Sequence, residues 1–157
     1  MITQEDIEAF LPPTPEECLE EFILIFKASL DPRLWVNLIK EEYKELEAEK
    51  AGTVDHLKEA ADLMYVLEGF RLVSQNYLDL LISDEELEDI NNLLESADKA
   101  IESAEGFDGH NTVYDAVLLV HDSNMSKLDD DDKPIFRSDG KVLKGPNYRA
   151  PNLTYLI

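Results

Sequence analysis

One segment with apolar residues on two sides limits how this chain can fold more than any other feature. It extends from Thr53 or Asp55, either of which can cap a helix, to about Tyr77. At about 100° per residue, the segment presents two apolar stripes on opposite sides. One stripe contains Leu63, Val66, Phe70 and Val73, and the other contains Leu57, Ala60, Ala61, Met64 and Leu67. A helix with two apolar sides needs two partners, so we expect it in the middle of a helical bundle or at a subunit interface.

Two helices are predicted before this segment. The first, over 15–30, starts with a capping box in which Thr14 caps the helix and Glu17 returns the hydrogen bond. The second, over about 34–50, stops near Gly52, because glycine readily takes the left-handed conformation that ends a helix.

Three predicted elements follow the central segment. A polar helix over 84–105 carries one narrow apolar stripe, a further helix covers 112–128, and Ser138-Asp139-Gly140 forms the turn of a small hairpin. We therefore expect a single all-α domain over residues 1–157. It should be a bundle of four core helices within about 14–128, with the polar helix as an insertion and a small C-terminal β-hairpin in the tail 129–157.

The charge of the chain excludes several classes of partner. With 35 acidic and 14 basic residues, its formal net charge is −21, which repels nucleic acids and anionic membrane surfaces. No window approaches the roughly 18 consecutive apolar residues that a membrane span requires. Cys18 is the single cysteine, which agrees with a reducing compartment, and the acidic start of the chain is unlike a secretory peptide. We expect a cytoplasmic protein with no nucleic-acid or membrane partner.

Four carboxylates occupy positions where apolar residues would be expected. Glu42 lies within the apolar arc of the second helix and Glu45 at its edge, while Glu59 lies inside a stripe of the third helix and Asp62 beside it. Burying an unpaired carboxylate costs several kcal/mol. The nearby cations Lys40, Lys44 and Lys58 are expected on other faces of their helices. These oxygens therefore predict a site for a divalent cation, Mg²⁺ or Mn²⁺ rather than zinc.

The same residues carry a family resemblance. "EEYKE" followed by "EAAD" resembles the E-E-x-x-E … E-x-x-D signature of the all-α nucleoside triphosphate pyrophosphatases, which include MazG-type enzymes, dimeric dUTPases and phosphoribosyl-ATP pyrophosphatase. "VHDSNMSKL" and "GKVLKGPNY" are similar to the C-terminal motifs of one MazG-like branch, often carried by bacteria and phages. The resemblance covers roughly residues 20–74 and 115–148. The polar helix over 84–105 departs from the compact family pattern.

The resemblance implies a reaction and a site. A nucleotide, most simply a deoxynucleotide such as dUTP, would be cleaved between its α- and β-phosphates to a monophosphate and pyrophosphate. Glu42, Glu45, Glu59 and Asp62 would hold Mg²⁺, and Glu41 would orient or deprotonate the attacking water. The resemblance also implies a homodimer or homotetramer, in a bacterial cytoplasm or in the host cytoplasm of a phage.

Four further residues are candidates for substrate binding. Asn124 can hydrogen-bond a base, a sugar or a metal-bound water, and Lys127 can pair with a phosphate. Arg137 and Lys144 place positive charge in the hairpin, where they could reach a phosphate tail, in this subunit or a neighbouring one. His121 is expected to be a hydrogen-bonded core residue rather than a ligand.

Two other functions remain open at this stage. The ligand could be phosphoribosyl-ATP or a modified nucleotide, with the same chemistry. Alternatively, the chain could be a non-catalytic acidic helical protein that acts as an inhibitor or a nucleic-acid mimic. Stabilisation by Mg²⁺ or Mn²⁺ that is lost on substitution of Glu42 or Glu59 would distinguish an enzyme from such a binding protein.

Overall fold

The computed structural model describes residues 1–6, 11–74, 82–104 and 112–156. In these residues the chain is mostly helical, with one small antiparallel sheet near its C-terminal end. The α-helices are α1 (Pro15–Phe26), α2 (Pro32–Ala48), α3 (Val54–Val73), α4 (Asp84–Ala104) and α5 (Thr112–Met125). The strands are β1 (Ile135–Phe136) and β2 (Val142–Leu143), and a 3-10 turn covers Thr154–Leu156. The predicted all-α fold with a C-terminal hairpin is confirmed.

The helix ends follow local capping chemistry. Thr14 accepts a hydrogen bond from the Glu17 backbone, and the Glu17 side chain accepts one from the Thr14 backbone, which confirms the predicted capping box. Helix α1 is shorter than predicted and ends at Phe26, because Lys27 takes the left-handed conformation with φ 50°. Asp31 caps α2 through the Arg33 backbone N–H. The predicted continuation of α3 to Tyr77 and of the polar helix to Glu105 lies outside the described residues.

Helix α3 is the central element of the bundle. It packs against α1, α2, α4 and α5, and both of its apolar stripes contribute buried side chains, as the sequence predicts. Gly69 allows a close contact with α2, because a Cβ at this position would overlap the ring of Trp35. The Trp35 indole in turn donates a hydrogen bond of 2.9 Å to the Ser29 carbonyl. The α2–α3 pair is therefore held in close contact, and this pair carries all four predicted metal-binding carboxylates.

The C-terminal segment folds back over the end of α5. Ser123 donates a hydrogen bond of 2.7 Å to the Arg149 carbonyl, and the Arg149 backbone donates one of 2.9 Å to Ser126. Gly145 lies so close to this end that an added Cβ would be 2.5 Å from the Lys127 carbonyl oxygen. Val142 of β2 is buried in the core. A Cβ added at Gly140 would lie 3.3 Å from the Leu34 side chain on α2, so the hairpin lies beside the α2–α3 pair.

Helix α4 differs from the other helices in how little of it is buried. Ala97 and Ile101 are its buried residues, and it packs against α3 and α2 through that narrow stripe. No helix in the described part of the chain combines the length and apolar character that crossing a membrane would require.

Candidate metal and ligand site

Three glutamates of the α2–α3 pair form a carboxylate cluster. One carboxylate oxygen from each of Glu42, Glu45 and Glu59 lies within 4.8 Å of the others. Glu42 and Glu45 are one helical turn apart on α2, and Glu59 is near the start of the neighbouring α3. Glu42 and Glu59 are partly buried, whereas Glu45 is exposed. The structure therefore brings together three of the four carboxylates that the sequence assigned to a metal.

Two oxygens of this cluster are buried without a hydrogen-bond partner. They are Oε2 of Glu42 and Oε2 of Glu59. Burial, followed by the charges of Asp62 and Glu45, raises the pKa of Glu42. Burial also raises the pKa of Glu59, although Lys58 acts in the opposite direction. A buried acceptor without a donor is costly, and a hard cation would satisfy both oxygens.

The prediction that Lys58 points away from the carboxylates is wrong. Its Nζ lies 2.7 Å from Asp62 Oδ2 and 3.4 Å from Glu59 Oε1. Helical counting gives the direction of Cβ, but the long lysine side chain bends back to Asp62 one turn ahead. Burial alone would lower the pKa of Lys58, but the charge and hydrogen bond of Asp62 outweigh it and raise that pKa. Asp62 is thus turned toward Lys58, although its charge still acts on Glu42.

The donor set fits a divalent cation of the Mg²⁺ type. All candidate ligand atoms are carboxylate oxygens, and hard cations with oxygen ligands are the ions that such sets select. Lys58 contacts Asp62 and Oε1 of Glu59, so Oε2 of Glu42 and Oε2 of Glu59 remain without a hydrogen-bond partner. Glu42, Glu45 and Glu59 could therefore hold the ion, and Asp62 could join them if Lys58 released it.

A cleft of about 520 Å³ opens beside the cluster, between helices α1, α2, α3 and α5 and the hairpin. Its polar side contains Glu42, Glu45, Asp62 and the four lysines Lys58, Lys127, Lys141 and Lys144. Its other side is mostly apolar and includes Phe22, Trp35, Leu38, Val142 and Tyr148. A ligand that combines anionic groups with a flat apolar group matches this division.

Three of the four predicted substrate-binding residues line this cleft. Asn124 is near the end of α5, and Lys127 lies in the turn after that helix rather than on it. Burial lowers the pKa of Lys127, while the charges of Asp62 and Glu42 act against that change. Lys144 also lines the cleft, with its Nζ 4.7 Å from the centre of the Tyr148 ring.

The fourth, Arg137, is engaged in ion pairs at the hairpin. Its guanidinium lies 2.6 Å from Asp139 and 2.9 Å from Glu41, and Lys141 lies 2.8 Å from the other oxygen of Glu41. We refer to the contacts of Glu41 with Arg137 and Lys141 as the Glu41 ion pairs. They join α2 to the hairpin of the same chain.

The environment of Glu41 differs from that of the carboxylate cluster. Burial alone would raise the pKa of Glu41, but the hydrogen bonds from Lys141 and Arg137 outweigh it and lower that pKa. Its carboxylate faces the hairpin instead of the three clustered glutamates. Glu41 therefore borders the candidate site with both oxygens occupied.

A hydrogen-bonded chain behind the cleft was missed at the sequence level. The Tyr65 hydroxyl lies 2.8 Å from His121 Nδ1, and His121 Nε2 lies 3.2 Å from Glu21 Oε1. His121 is buried, as its spacing predicts. Its partners are 56 and 100 residues away along the chain, and helical periodicity gives no signal for contacts of that kind.

Comparison of the chain with protein-family models, with curated proteins and with solved structures finds no match.

Proposed function

We propose that the protein is a Mg²⁺-dependent nucleotide pyrophosphohydrolase that cleaves nucleoside triphosphates between the α- and β-phosphates. The observation that carries this proposal is the pair of unpartnered, buried carboxylate oxygens of Glu42 and Glu59, together with the cleft that Glu42 lines along with four lysines. Lys58 and Lys141 pair with carboxylates of the chain, but Lys127 and Lys144 also line this cleft, and such clustering of cations in a chain with a net charge of −21 suits an anionic ligand. The resemblance to the E-E-x-x-E … E-x-x-D signature is what indicates cleavage between the α- and β-phosphates.

The two sides of the cleft suit the two parts of a nucleotide. Lys127, Lys141 and Lys144 can pair with phosphate oxygens, and lysine serves such groups as a mobile point charge. The flat rings of Trp35 and Phe22 offer an apolar wall for a base. A deoxynucleotide such as dUTP fits this proposal, with phosphoribosyl-ATP and modified nucleotides as other substrates of the same reaction.

A bound divalent ion would supply charge neutralisation at the phosphates and a water of lowered pKa. Glu42, Glu45, Glu59 and Asp62 are the residues that would hold it. Glu41 would orient or deprotonate the attacking water, and for this it must lose at least one of its present partners. Transfer of Lys141 from Glu41 to a substrate phosphate would free one oxygen of Glu41 as the substrate binds.

The test is product analysis with purified protein. Each ribo- and deoxynucleoside triphosphate is incubated with Mg²⁺ or Mn²⁺, and monophosphate plus pyrophosphate is separated from diphosphate plus phosphate. We expect the first pair of products, a loss of at least about 100-fold in kcat in Glu42→Gln and in Glu41→Gln, and unchanged rates in Glu47→Gln. Absence of turnover with every nucleotide and both ions would overturn the proposal.

A metal-binding measurement separates the roles of the two neighbouring glutamates. Millimolar Mg²⁺ should raise the melting temperature of the wild type, because an ion that binds only the folded state stabilises it. Glu42→Gln should abolish this increase, whereas Glu41→Gln should retain it while losing activity. An increase that survives in Glu42→Gln would place the ion elsewhere.

One observation favours a non-catalytic acidic binding protein as the second candidate. Lys58 already neutralises Asp62, and Arg137 and Lys141 already neutralise Glu41, so much of the acidic region is balanced by the chain itself. Under this alternative, Mg²⁺ would give only a weak response that depends on ionic strength and is the same in Glu42→Gln.

The proposal includes a homodimer or homotetramer. Support comes from large apolar side chains that remain exposed at the C-terminal end of α1 and after it, namely Leu24, Ile25 and Leu30. Light scattering on the purified protein measures the mass directly, and Leu24→Lys should shift it toward the monomer. A monomeric wild type would overturn this part of the proposal.

A further inference from the structure

Three helices contribute to the hydrogen-bonded chain behind the cleft. Tyr65 comes from α3, His121 from α5 and Glu21 from α1. Tyr65 lines the cleft, whereas Glu21 is more than half exposed on the outside of the bundle. His121 lies between them with a side chain that is 8% exposed. The chain therefore runs from the outer surface to the wall of the ligand cleft.

The acceptor at the outer end sets the direction of every hydrogen bond in this chain. An ionised Glu21 carboxylate can only accept a hydrogen bond. His121 Nε2 must therefore carry a hydrogen atom and donate a hydrogen bond to Glu21. In the neutral ring the other nitrogen, Nδ1, is then an acceptor. The Tyr65 hydroxyl must donate to it, which leaves the lone pairs of the Tyr65 oxygen as acceptors.

Asn124 lies one turn after His121 on α5 and lines the same cleft as Tyr65. Because the Tyr65 hydroxyl gives its hydrogen to His121, its oxygen can only accept from a neighbouring amide, so the group of Asn124 that suits it is the N–H. The planar amide of Asn124 has its nitrogen and oxygen on opposite sides. With the nitrogen directed to Tyr65, the carbonyl oxygen is the atom left for another partner.

We propose that Glu21 and His121 are positioning residues that act through Tyr65 to fix the Asn124 amide, so that its carbonyl oxygen accepts a hydrogen bond from an N–H or O–H group of the ligand. Phosphates are acceptors and gain nothing from this oxygen, whereas the lysines of the cleft suit them. The N–H or O–H group that donates to the Asn124 oxygen therefore belongs to the base or sugar of a nucleotide. The identity of that ligand rests on the proposed function, but the hydrogen-bond directions do not.

The first test needs no substrate. Nitrogen-15 NMR of the histidine rings at about pH 8 should show His121 with a protonated Nε2 and an unprotonated Nδ1. Glu21→Ala should change this into a mixture of the two tautomers, whereas Glu20→Ala, at an exposed position of the same helix, should not. A wild-type ring protonated at Nδ1, or no change in Glu21→Ala, would overturn the inference.

The second test measures ligand recognition. Glu21→Ala and His121→Gln should raise KM for the preferred nucleotide about three- to ten-fold while kcat stays within about two-fold, since one fixed hydrogen bond is lost and the clustered carboxylates are untouched. Glu20→Ala should match the wild type. Equal losses of kcat in both variants, with KM unchanged, would contradict a role in positioning.

Modified nucleotides identify the donor. A base N-methylated at its N–H removes one candidate donor, and a 2′,3′-dideoxy sugar removes the other. The wild type should discriminate against one of these analogues, and Glu21→Ala should lose that discrimination. If neither analogue is disfavoured, the inference about Asn124 fails. If the tautomers are as expected but no nucleotide binds or reacts, the proposed function fails and the hydrogen-bond directions stand.

Discussion

Glu41 and Glu42 are adjacent in the sequence, yet they belong to two regions with opposite electrostatics. Glu42 joins the carboxylate cluster, where Asp62 and Glu45 add negative charge and one of its own oxygens has no partner. Glu41 faces the hairpin, where two cations hold both of its oxygens. Successive residues of a helix differ in direction by about 100°, so neighbours readily enter different environments.

The difference separates a region whose charges are paired within the chain from one whose unpartnered buried oxygens lower the stability of the metal-free protein. The Glu41 ion pairs are complete without any other molecule. The carboxylate cluster is incomplete, because two buried acceptors lack donors. Close packing of the α2–α3 pair, with Trp35 against Gly69, must offset that cost. Three substitutions and one pH dependence test this division, and they follow in order of decreasing effect.

Gly69→Ala should have the largest effect, because it forces apart the helix pair that supports the cluster. A methyl group would overlap the Trp35 ring, and overpacking of this kind typically costs about 1–3 kcal/mol, more than the helix propensity that alanine gains. Urea unfolding measures the loss. The double substitution Trp35→Leu with Gly69→Ala should lower the free energy of unfolding by less than the sum of the two single substitutions. Additive losses would show that this contact does not hold the pair together.

Glu42→Gln should stabilise the protein in the absence of metal ions. It removes the charge of a partly buried carboxylate that has an unpartnered oxygen, for an expected gain on the order of 1 kcal/mol. Urea unfolding in the presence of EDTA, at a pH above the raised Glu42 pKa of about 8, is the measurement, and Glu47→Gln on the same helix is the exposed control. A loss of stability in Glu42→Gln would show that the carboxylate is satisfied by another group.

The stability of the metal-free protein should fall as the pH rises above the ordinary glutamate range. Burial raises the pKa of Glu42 and of Glu59 above the usual value of 4.5, so the folded state binds these protons more tightly than the unfolded chain. Their contribution is complete below 4.5 and is lost as the pH rises through the raised values. Unfolding midpoints measured between about pH 5 and pH 9 should decline, and less steeply in Glu42→Gln. Equal slopes in both proteins would contradict the raised pKa of Glu42.

Helical periodicity predicted the part of the site that depends on the backbone alone. It placed Glu42 and Glu59 on inward faces because the direction of Cβ follows from the residue number. It failed for Lys58, whose Nζ is five bonds from the backbone and turns back to Asp62. It also gave no indication that Arg137 and Lys141 contact Glu41 or that Tyr65 contacts His121, since these pairs are between 56 and 100 residues apart.

Glu41→Gln should have the smallest effect, and with the opposite sign to Glu42→Gln. The substitution removes the charge that holds Arg137 and Lys141, but the Glu41 side chain is 35% exposed, so solvent screens these pairs and the loss should stay below about 1 kcal/mol. Because exposed ion pairs weaken with ionic strength, the difference from the wild type should shrink in about 1 M salt. The gain in Glu42→Gln should persist there, since its buried oxygen has no partner to be screened. Effects of the same sign at both positions, or equal sensitivity to salt, would mean that the two glutamates share one environment and that the hairpin belongs to the carboxylate cluster.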